Sequence, residues 1–202
     1  MSIILVRHGE TAGNASRVLQ QPDVPLNERG QRQAAQLAER LRTFEVAHVL
    51  CSDFARTRMT AAPIRARFPG APYEESALLR ERDFGDLRGR PYAEIAGDPF
   101  APDFVPPNGE SWEVFNRRVA QAFALIAERR RGLSGDLLVV THGLVCGGLL
   151  HRHLHFADFV APRGFDNTSV TVFDPIPPHR VRTLNCTEHL CEDGPTPDAG
   201  AA

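Results

Sequence analysis

The stretch Ile3-Ile4-Leu5-Val6-Arg7-His8-Gly9 indicates the fold of this chain of 202 residues. Four consecutive aliphatic residues, without alternating polar side chains, predict a strand that is buried on both faces. The stretch Leu137-Leu138-Val139-Val140-Thr141-His142-Gly143 has the same form. Such strands belong to parallel sheets, and open α/β folds place ligands at their carboxyl ends. The two His-Gly pairs therefore predict one cleft that contains both imidazoles.

The composition is that of an ordinary globular protein. Apolar residues make up 42% and charged residues 24% of the chain, and the length fits one domain with a substantial core. A formal net charge of -2 predicts no broad attraction to nucleic acid or to an anionic membrane. Arg7 ends the first apolar run too early for a signal peptide, and no run approaches the roughly 20 residues of a membrane span. We therefore expect a cytoplasmic protein.

Helix and strand patterns alternate along the chain. Asn27 is a candidate N-cap, and Ser52-Asp53 begins a helix that ends before Pro69. The other predicted elements are helices at 28–43, 111–131 and 144–155 and strands at 46–51, 170–173 and 180–184. This alternation predicts an α/β fold, a three-layer α/β/α sandwich around a mostly parallel sheet. Right-handed crossovers then place His8, Ser52-Asp53 and His142 at one edge of the sheet.

Two segments lack this periodicity. Residues 70–110 carry Gly and Pro clusters and only a short helical pattern near 92–96, and a connection of that length predicts a cap or wall over the site. Residues 1–190 form the predicted catalytic domain, and the composition of 191–202 predicts a disordered tail. The apolar helix after His142, or the terminal strand pair, is a candidate surface for a homodimer.

The side chains expected at the sheet edge suit a phosphate group. Arg7, Arg56, His8 and His142 combine two guanidiniums with two imidazoles, and arginine binds phosphate oxygens bidentately. Gly9 would let the backbone approach a bound oxyanion. Arg56 lies about one turn into its predicted helix, so its side chain can reach the same edge.

Six short motifs support a more specific interpretation. They are Arg7-His8-Gly9-Glu10-Thr11 with Asn14, 52–61, 79–85, 108–111, 141–143 and 167–170. Each is weak alone, but in this order they make the chain resemble the histidine phosphatase superfamily, the branch that contains cofactor-dependent phosphoglycerate mutases. The resemblance extends to about Leu190.

The resemblance implies a catalytic role for five residues. His8 would be the nucleophile that takes the phosphoryl group, while Arg7, Arg56 and His142 would hold the phosphoryl oxygens. Glu81 would protonate the leaving alcohol and then activate water, which requires a raised pKa. The resemblance implies neither a metal nor another cofactor, because the arginines and His142 would supply the positive charge.

The same resemblance extends substrate or phosphate binding to a second set of residues. These are Gly9, Thr11, Asn14, Gln21, Arg82 and Gly143. Arg82 has two interpretations, a charge on a solvent-facing loop or a residue that contacts substrate. Residues 86–108 contain only Arg88 and Arg90, too few for the basic insertion with which mutases bind a second phosphate.

We therefore expect a metal-independent phosphatase that acts on a small phosphorylated metabolite through a phosphohistidine. The alternatives are a 2,3-bisphosphoglycerate-dependent phosphoglycerate mutase and, in a different class, an inactive phosphate-sensing module. Arg58 is predicted to form a structural salt bridge. A surface or interface role is favoured over metal binding for His151, His153 and His155. Three aromatic residues have two interpretations, either as core of the cap or as wall of the substrate pocket. They are Phe84, Phe104 and Trp112.

Overall fold

The computed structural model describes residues 1–190 and contains one six-stranded sheet with helices on both faces. The strands are β1 (Ile3–Arg7), β2 (Val46–Cys51), β3 (Tyr73–Glu75), β4 (Asp136–Thr141), β5 (Val170–Phe173) and β6 (Val181–Cys186). The helices are α1 (Ala12–Ala15), α2 (Glu28–Arg40), α3 (Ala55–Arg67), α4 (Trp112–Arg130) and α5 (Gly143–His153). Four short 3-10 helices lie at Leu41–Thr43, Ala77–Leu79, Gly85–Leu87 and Tyr92–Glu94. The predicted tail at 191–202 lies outside the described residues.

The strand order β3-β2-β4-β1-β5-β6 decides where the site forms. The first four strands are parallel, and β5 and β6 continue the sheet in antiparallel pairing. The predicted α/β sandwich with a mostly parallel sheet is therefore confirmed. Arg7 pairs with Thr141 across β1 and β4, so His8 and His142 are neighbours although 134 positions separate them.

The core lies on both faces of this sheet, which explains the unbroken apolar runs. In β1, Ile3 and Leu5 face α4 and α5, whereas Ile4 and Val6 face α2 and α3. Full burial of one such side chain contributes about 1.5–3 kcal/mol to the free energy of unfolding. Both layers therefore hold β1 in place, and with it the residues at its carboxyl end.

Two predicted helix boundaries differ from the structure. α2 begins as predicted, because the Asn27 side chain accepts a hydrogen bond from the Gly30 amide at 2.8 Å, but its last turn is a separate 3-10 helix. α3 begins at Ala55, later than the predicted Ser52-Asp53. The Ser52 amide still donates to the Val140 carbonyl of β4 at 2.9 Å, so this residue extends the sheet.

The segment 70–110 contains a strand that the sequence did not predict. β3 has only three residues, too few to show a period. Beyond it, Leu19, Phe84 and Ile95 form a small apolar cluster against which Phe100 and Phe104 pack. The segment thus covers the strand ends with its own core, as the cap prediction required. Among residues 1–190, no helix has the length and apolar character that crossing a membrane requires.

Candidate active site

His8 follows β1 directly and is 3% exposed. Its Nδ1 lies 2.7 Å from the Gly9 carbonyl oxygen. A carbonyl can only accept a hydrogen bond, so Nδ1 carries the proton and Nε2 carries the lone pair. Burial, together with the positive charges of Arg56 and Arg7, holds the pKa of His8 well below its ordinary value of 6.5. A neutral imidazole with a free lone pair at Nε2 is a competent nucleophile near pH 7.

Arg7 and Arg56 place two guanidiniums beside this imidazole. Arg7 ends β1 and donates to the Phe165 carbonyl. Arg56 lies in the first turn of α3, where its Nη1 donates to the Gln21 carbonyl at 3.0 Å. Burial lowers the pKa of Arg56 to about 10, so the group stays charged at neutral pH. The Nε of Arg56 is buried and has no hydrogen-bond partner among residues 1–190.

His142 is fully buried and immediately precedes α5. Its ring packs edge-to-face on His8, with the centroids 5.2 Å apart, and its Nε2 lies 2.9 Å from Ser52 Oγ. Its Nδ1 is buried without a hydrogen-bond partner in the described part of the chain. Burial, followed by the charge of Arg56, holds the pKa of His142 well below 6.5. If the Ser52 hydroxyl donates to Nε2, Nδ1 carries a proton that can be donated to a bound anion.

Glu81 supplies a carboxylate to the same cleft from the segment 70–110. Its Oε1 accepts from the Arg82 amide at 2.9 Å and its Oε2 from the Leu144 amide at 3.1 Å. Burial raises the pKa of Glu81, although these two hydrogen bonds and the nearby arginines act in the opposite direction. A carboxyl group with a raised pKa suits general acid catalysis.

Arg118 and Glu110 fix the position of the loop that carries Glu81. The sequence analysis did not assign either residue to the site. Arg118 on α4 donates to the carbonyls of Leu78, Arg80 and Glu81 at 2.6 to 3.2 Å. Glu110 accepts from Arg118 at 2.6 Å and from the Asp83 amide at 2.9 Å. The motif at 108–111 contained Glu110, but nothing in the sequence linked it to an arginine eight positions later.

The structure excludes one of the two interpretations of Arg82, the charge on a solvent-facing loop. Its side chain is 1% exposed, so it is not a solvent-facing charge. Its three guanidinium nitrogens donate to the carbonyls of Glu110, Pro99 and Phe104 at 2.6 to 3.1 Å, and the group stacks over Trp112 at 4.1 Å. Its donors therefore hold the segment 98–112, although its side chain still forms part of the cleft wall.

These groups line one cleft of about 570 Å³, which is within the range of small-molecule sites. The cleft is larger than a phosphate requires, and much of its wall is apolar. Residues of the wall include Leu19, Phe54, Phe84, Tyr92, Phe100, Trp112, Leu144 and Phe165. Three aromatic residues were predicted to form either the core of the cap or the wall of the pocket. Phe84 and Trp112 line the cleft, while Phe104 packs in the cap.

The predicted binding residues divide into two groups. Asn14, Arg82 and Gly143 line the cleft, whereas Gly9, Thr11 and Gln21 do not. A Cβ at Gly9 would lie 2.6 Å from the Gly30 carbonyl oxygen, so this glycine permits close packing on α2 instead of approach to an oxyanion. Its amide donates to Thr60.

Thr11 and Gln21 also have structural contacts. Thr11 caps α1 and donates to Gln20 at 2.7 Å, and the neighbouring Gln20, not Gln21, lines the cleft. The Gln21 side chain points to the Arg88 carbonyl and only its backbone carbonyl contacts Arg56. The polar pattern of the loop did not specify which of two adjacent glutamines faces inward.

The remaining candidates lie away from the cleft or at its mouth. Arg58 forms the predicted salt bridge, with Glu75 at 2.6 Å. Of the three histidines, His151 lines the cleft, and His153 stacks on Phe123 with ring centroids 4.3 Å apart. Nowhere in residues 1–190 do three His, Cys, Asp or Glu side chains gather in a group that could hold a metal ion.

Known proteins resemble this chain in both sequence and structure. A Klebsiella pneumoniae protein named "Probable phosphoglycerate mutase GpmB" is 38% identical over 160 residues, which cover 74% of this chain and 73% of that protein. The structure of Bacillus stearothermophilus YhfR superposes with a TM-score of 0.79 at 29% identity, covering 93% of this chain and 98% of that one. The alpha-ribazole phosphatase from Shigella flexneri superposes with a TM-score of 0.78 at 27% identity, covering 92% and 96%.

The family model of the histidine phosphatase superfamily (branch 1) matches residues 3–187, which is nearly all of the described chain. The match includes the strand ends that carry His8 and His142 and the loop that carries Glu81. Members of this family are phosphatases or mutases, so the arrangement belongs to an enzyme of phosphoryl transfer. The chain is a member of the histidine phosphatase superfamily, branch 1.

Proposed function

We propose that the protein is a metal-independent phosphomonoester hydrolase that forms a phosphohistidine at His8. The observation that carries this proposal is the state of His8, a buried neutral imidazole whose Nδ1 is engaged by a carbonyl and whose Nε2 is left as the nucleophile. Two arginines beside it match the charge of a phosphate dianion. A carboxyl group with a raised pKa lies in the same cleft.

In the first step, His8 Nε2 attacks phosphorus and the bond from phosphorus to the alcohol oxygen breaks. Glu81 gives its proton to that oxygen, so the alcohol leaves neutral. Arg7, Arg56 and the Nδ1 proton of His142 stabilise the phosphoryl oxygens, which carry most of the charge in the transition state. Positioning and fixed positive charge are what this reaction chiefly requires of the protein.

In the second step, the carboxylate of Glu81 takes a proton from water, and the water oxygen attacks phosphorus. The bond from phosphorus to His8 Nε2 breaks, inorganic phosphate leaves, and both side chains return to their first state. The proton that Glu81 loses in one step is recovered in the other, so the cycle needs no further proton donor.

The test is hydrolysis of p-nitrophenyl phosphate by the purified protein. We expect turnover that EDTA leaves unchanged, and a loss of about 10⁴-fold or more in kcat for His8→Ala. His155→Ala serves as the control, because His155 is exposed and lies outside the cleft. An acid-labile phosphoryl label on the wild-type protein, absent from His8→Ala, would identify the intermediate. Full activity in His8→Ala would refute the proposal.

Phosphoglycerate mutase is the second candidate, and the name of the Klebsiella relative favours it. A mutase must keep the phosphohistidine long enough to return the group to substrate. It would require priming by 2,3-bisphosphoglycerate and would convert 3-phosphoglycerate to its 2-isomer faster than it releases phosphate. Measurement of both products from 3-phosphoglycerate separates the two activities.

A further inference from the structure

One wall of the cleft is a face of α5. Gly143 begins this face beside the catalytic groups, since a Cβ there would lie 3.5 Å from Arg7 Nε. The face continues along the helix through Leu144, Gly147, Gly148, His151 and Arg152. At a rise of 1.5 Å per residue, Arg152 lies about 13 Å along the helix axis from Gly143. The cleft therefore extends well beyond the phosphate end.

Gly147 lies midway along this face and has no packing role. A Cβ at Gly147 would have no heavy atom within 4 Å outside its own helix in the described chain, whereas one at Gly148 would lie 3.2 Å from Val119. A glycine inside a helix costs stability relative to alanine. Close packing accounts for Gly148, but only free space in the cleft accounts for Gly147. That space is available to the part of a ligand that extends away from its phosphate group.

An aromatic wall lines the same cleft. Phe100 packs edge-to-face with Phe84 and with Tyr92, at centroid distances of 5.8 and 5.3 Å. All three rings line the cleft together with Trp112. Such a wall offers apolar contact and ring stacking, which favour an apolar, ring-bearing ligand over a hydrated chain of hydroxyl groups.

Two exposed arginines also line the cleft, and one of them, Arg152, lies at the outer end of the α5 face. Arg152 and Arg163 are exposed, and within residues 1–190 neither has a carboxylate within 4.0 Å. The other cleft arginines outside the catalytic group are occupied, because Arg88 pairs with Asp83 at 3.2 Å and Arg82 is bonded to three carbonyls. The cleft thus has two exposed cations that no carboxylate of the described chain neutralises, and Arg152 lies beyond the phosphate end.

We propose that the substrate is a phosphomonoester whose apolar, ring-bearing leaving group carries a second anionic group at its far end, bound by Arg152 and Arg163. This inference rests on the proposed function, because it assumes that the phosphate is bound beside His8. Such substrates are longer than 3-phosphoglycerate, whose carboxylate lies only a few bonds from its phosphorus.

Matched substrates test the distal arginines. Biphenyl-4-yl phosphate has an apolar body without a distal charge, and its 4′-carboxy and 4′-phosphono derivatives add the two anions. For the charged derivatives we expect Arg152→Ala and Arg163→Ala each to raise KM about fivefold, with kcat within about twofold. Biphenyl-4-yl phosphate itself should be unaffected. Comparison of the two derivatives shows whether a carboxylate or a phosphonate binds better.

Arg67→Ala is the matched control, because Arg67 also lies in the last turn of a helix but outside the cleft. The inference is overturned if the arginine variants change KM equally for charged and uncharged substrates. The proposed function fails separately, if the wild-type protein hydrolyses none of the three compounds or if His8→Ala hydrolyses them all.

Substitution of Gly147 tests the middle of the cleft. We expect Gly147→Leu to lower kcat/KM for biphenyl-4-yl phosphate by about tenfold, because the new side chain occupies the space of the ligand. Inhibition by inorganic phosphate should stay unchanged, since the phosphate end is untouched. Gly147→Ala should raise the Tm, which shows that the helix itself tolerates a side chain. An unaltered kcat/KM in Gly147→Leu would contradict the proposed position of the leaving group beside α5.

Discussion

The nucleophile His8 and the acid Glu81 lie in the same cleft, but the chain holds them in different ways. His8 follows a strand that is buried on both faces, and its partner is the carbonyl of the next residue. Glu81 lies in a segment with little regular structure. Its loop is held by Arg118, which is 37 positions away, and by the amide of Leu144 at a distance of 63 positions.

This difference separates control of geometry by the sheet from control by hydrogen bonds outside the sheet. Pairing of β1 with β4 in the middle of the sheet places His8, so the nucleophile depends on the sheet and its core. The acid depends on hydrogen bonds between groups that meet only in the completed fold. We therefore expect substitutions remote in sequence to change the acid function while leaving the nucleophile intact.

The largest effect is expected from removal of the acid itself. Glu81→Gln should lower kcat for an alkyl phosphate by about 10²–10⁴-fold, because the alkoxide then leaves without a proton. For p-nitrophenyl phosphate the loss in the first step should be smaller, because nitrophenolate is a good leaving group. Values of kcat/KM on both substrates check this, because kcat/KM reports the first step and not the later hydrolysis in which Glu81 also acts. Exposed Glu113→Gln is the control. Equal losses on both would show that Glu81 does not act as the acid.

Arg82 tests whether the cap over the cleft depends on buried polar contacts. Arg82→Met should lower the free energy of unfolding by about 3 kcal/mol, because three backbone carbonyls lose their charged donor. Arg80→Met is the control, since Arg80 is exposed and its ion pair with Asp53 should contribute less than about 1 kcal/mol. Urea denaturation measures both. Equal costs would mean that the carbonyl contacts of Arg82 do not stabilise the fold.

Adjacent arginines on α4 test the long-range control of Glu81. Arg118→Ala should lower kcat for alkyl phosphates about tenfold, because the Glu81 loop loses its three bonds to Arg118. Within residues 1–190, the one ion pair of Arg117 is with exposed Glu113, so Arg117→Ala should leave kcat unchanged. A role through Glu81 predicts a greater loss for alkyl than for nitrophenyl phosphate. If kcat/KM, which reports the first step, falls equally for both substrates, Arg118 stabilises the fold without positioning the acid.

The last prediction concerns the pH dependence of stability. The pKa values of His8 and His142 lie below 6.5 in the folded protein, so the unfolded chain binds protons more tightly. The free energy of unfolding should therefore fall as the pH drops below 6.5, by up to about 1.4 kcal/mol per pH unit for each histidine. The pKa of Glu81 is raised above 4.5, so its contribution falls as the pH rises and offsets part of the change.

Denaturation at pH 7.5, 6.5 and 5.5, with and without inorganic phosphate, measures this dependence. A bound dianion favours the protonated histidines and should reduce the loss at low pH. An identical slope with and without phosphate would place the titrating groups outside the site.

The strand ends were predictable because burial on both faces leaves a clear mark in the sequence. The runs before His8 and His142 predicted two buried parallel strands whose ends share one cleft, and the position of Arg56 predicted a helix start at the same edge. By contrast, β3 is too short to show a period. The choice of Gln20 over Gln21 depends on how one loop crosses another, which no local pattern specifies.

The sequence by itself determined the fold class, five of the six strands, the edge at which the site lies and the residue types that meet there, because hydrophobic periodicity and motif order are local properties. Only the tertiary structure decided what these groups contact. It packed Gly9 against α2 and formed hydrogen bonds from Arg82 to carbonyls of the cap. It also placed Arg118 and Glu110 in hydrogen-bond contact with the loop of Glu81. Each of these contacts joins segments that are distant in sequence, and their approach depends on the path of the whole chain.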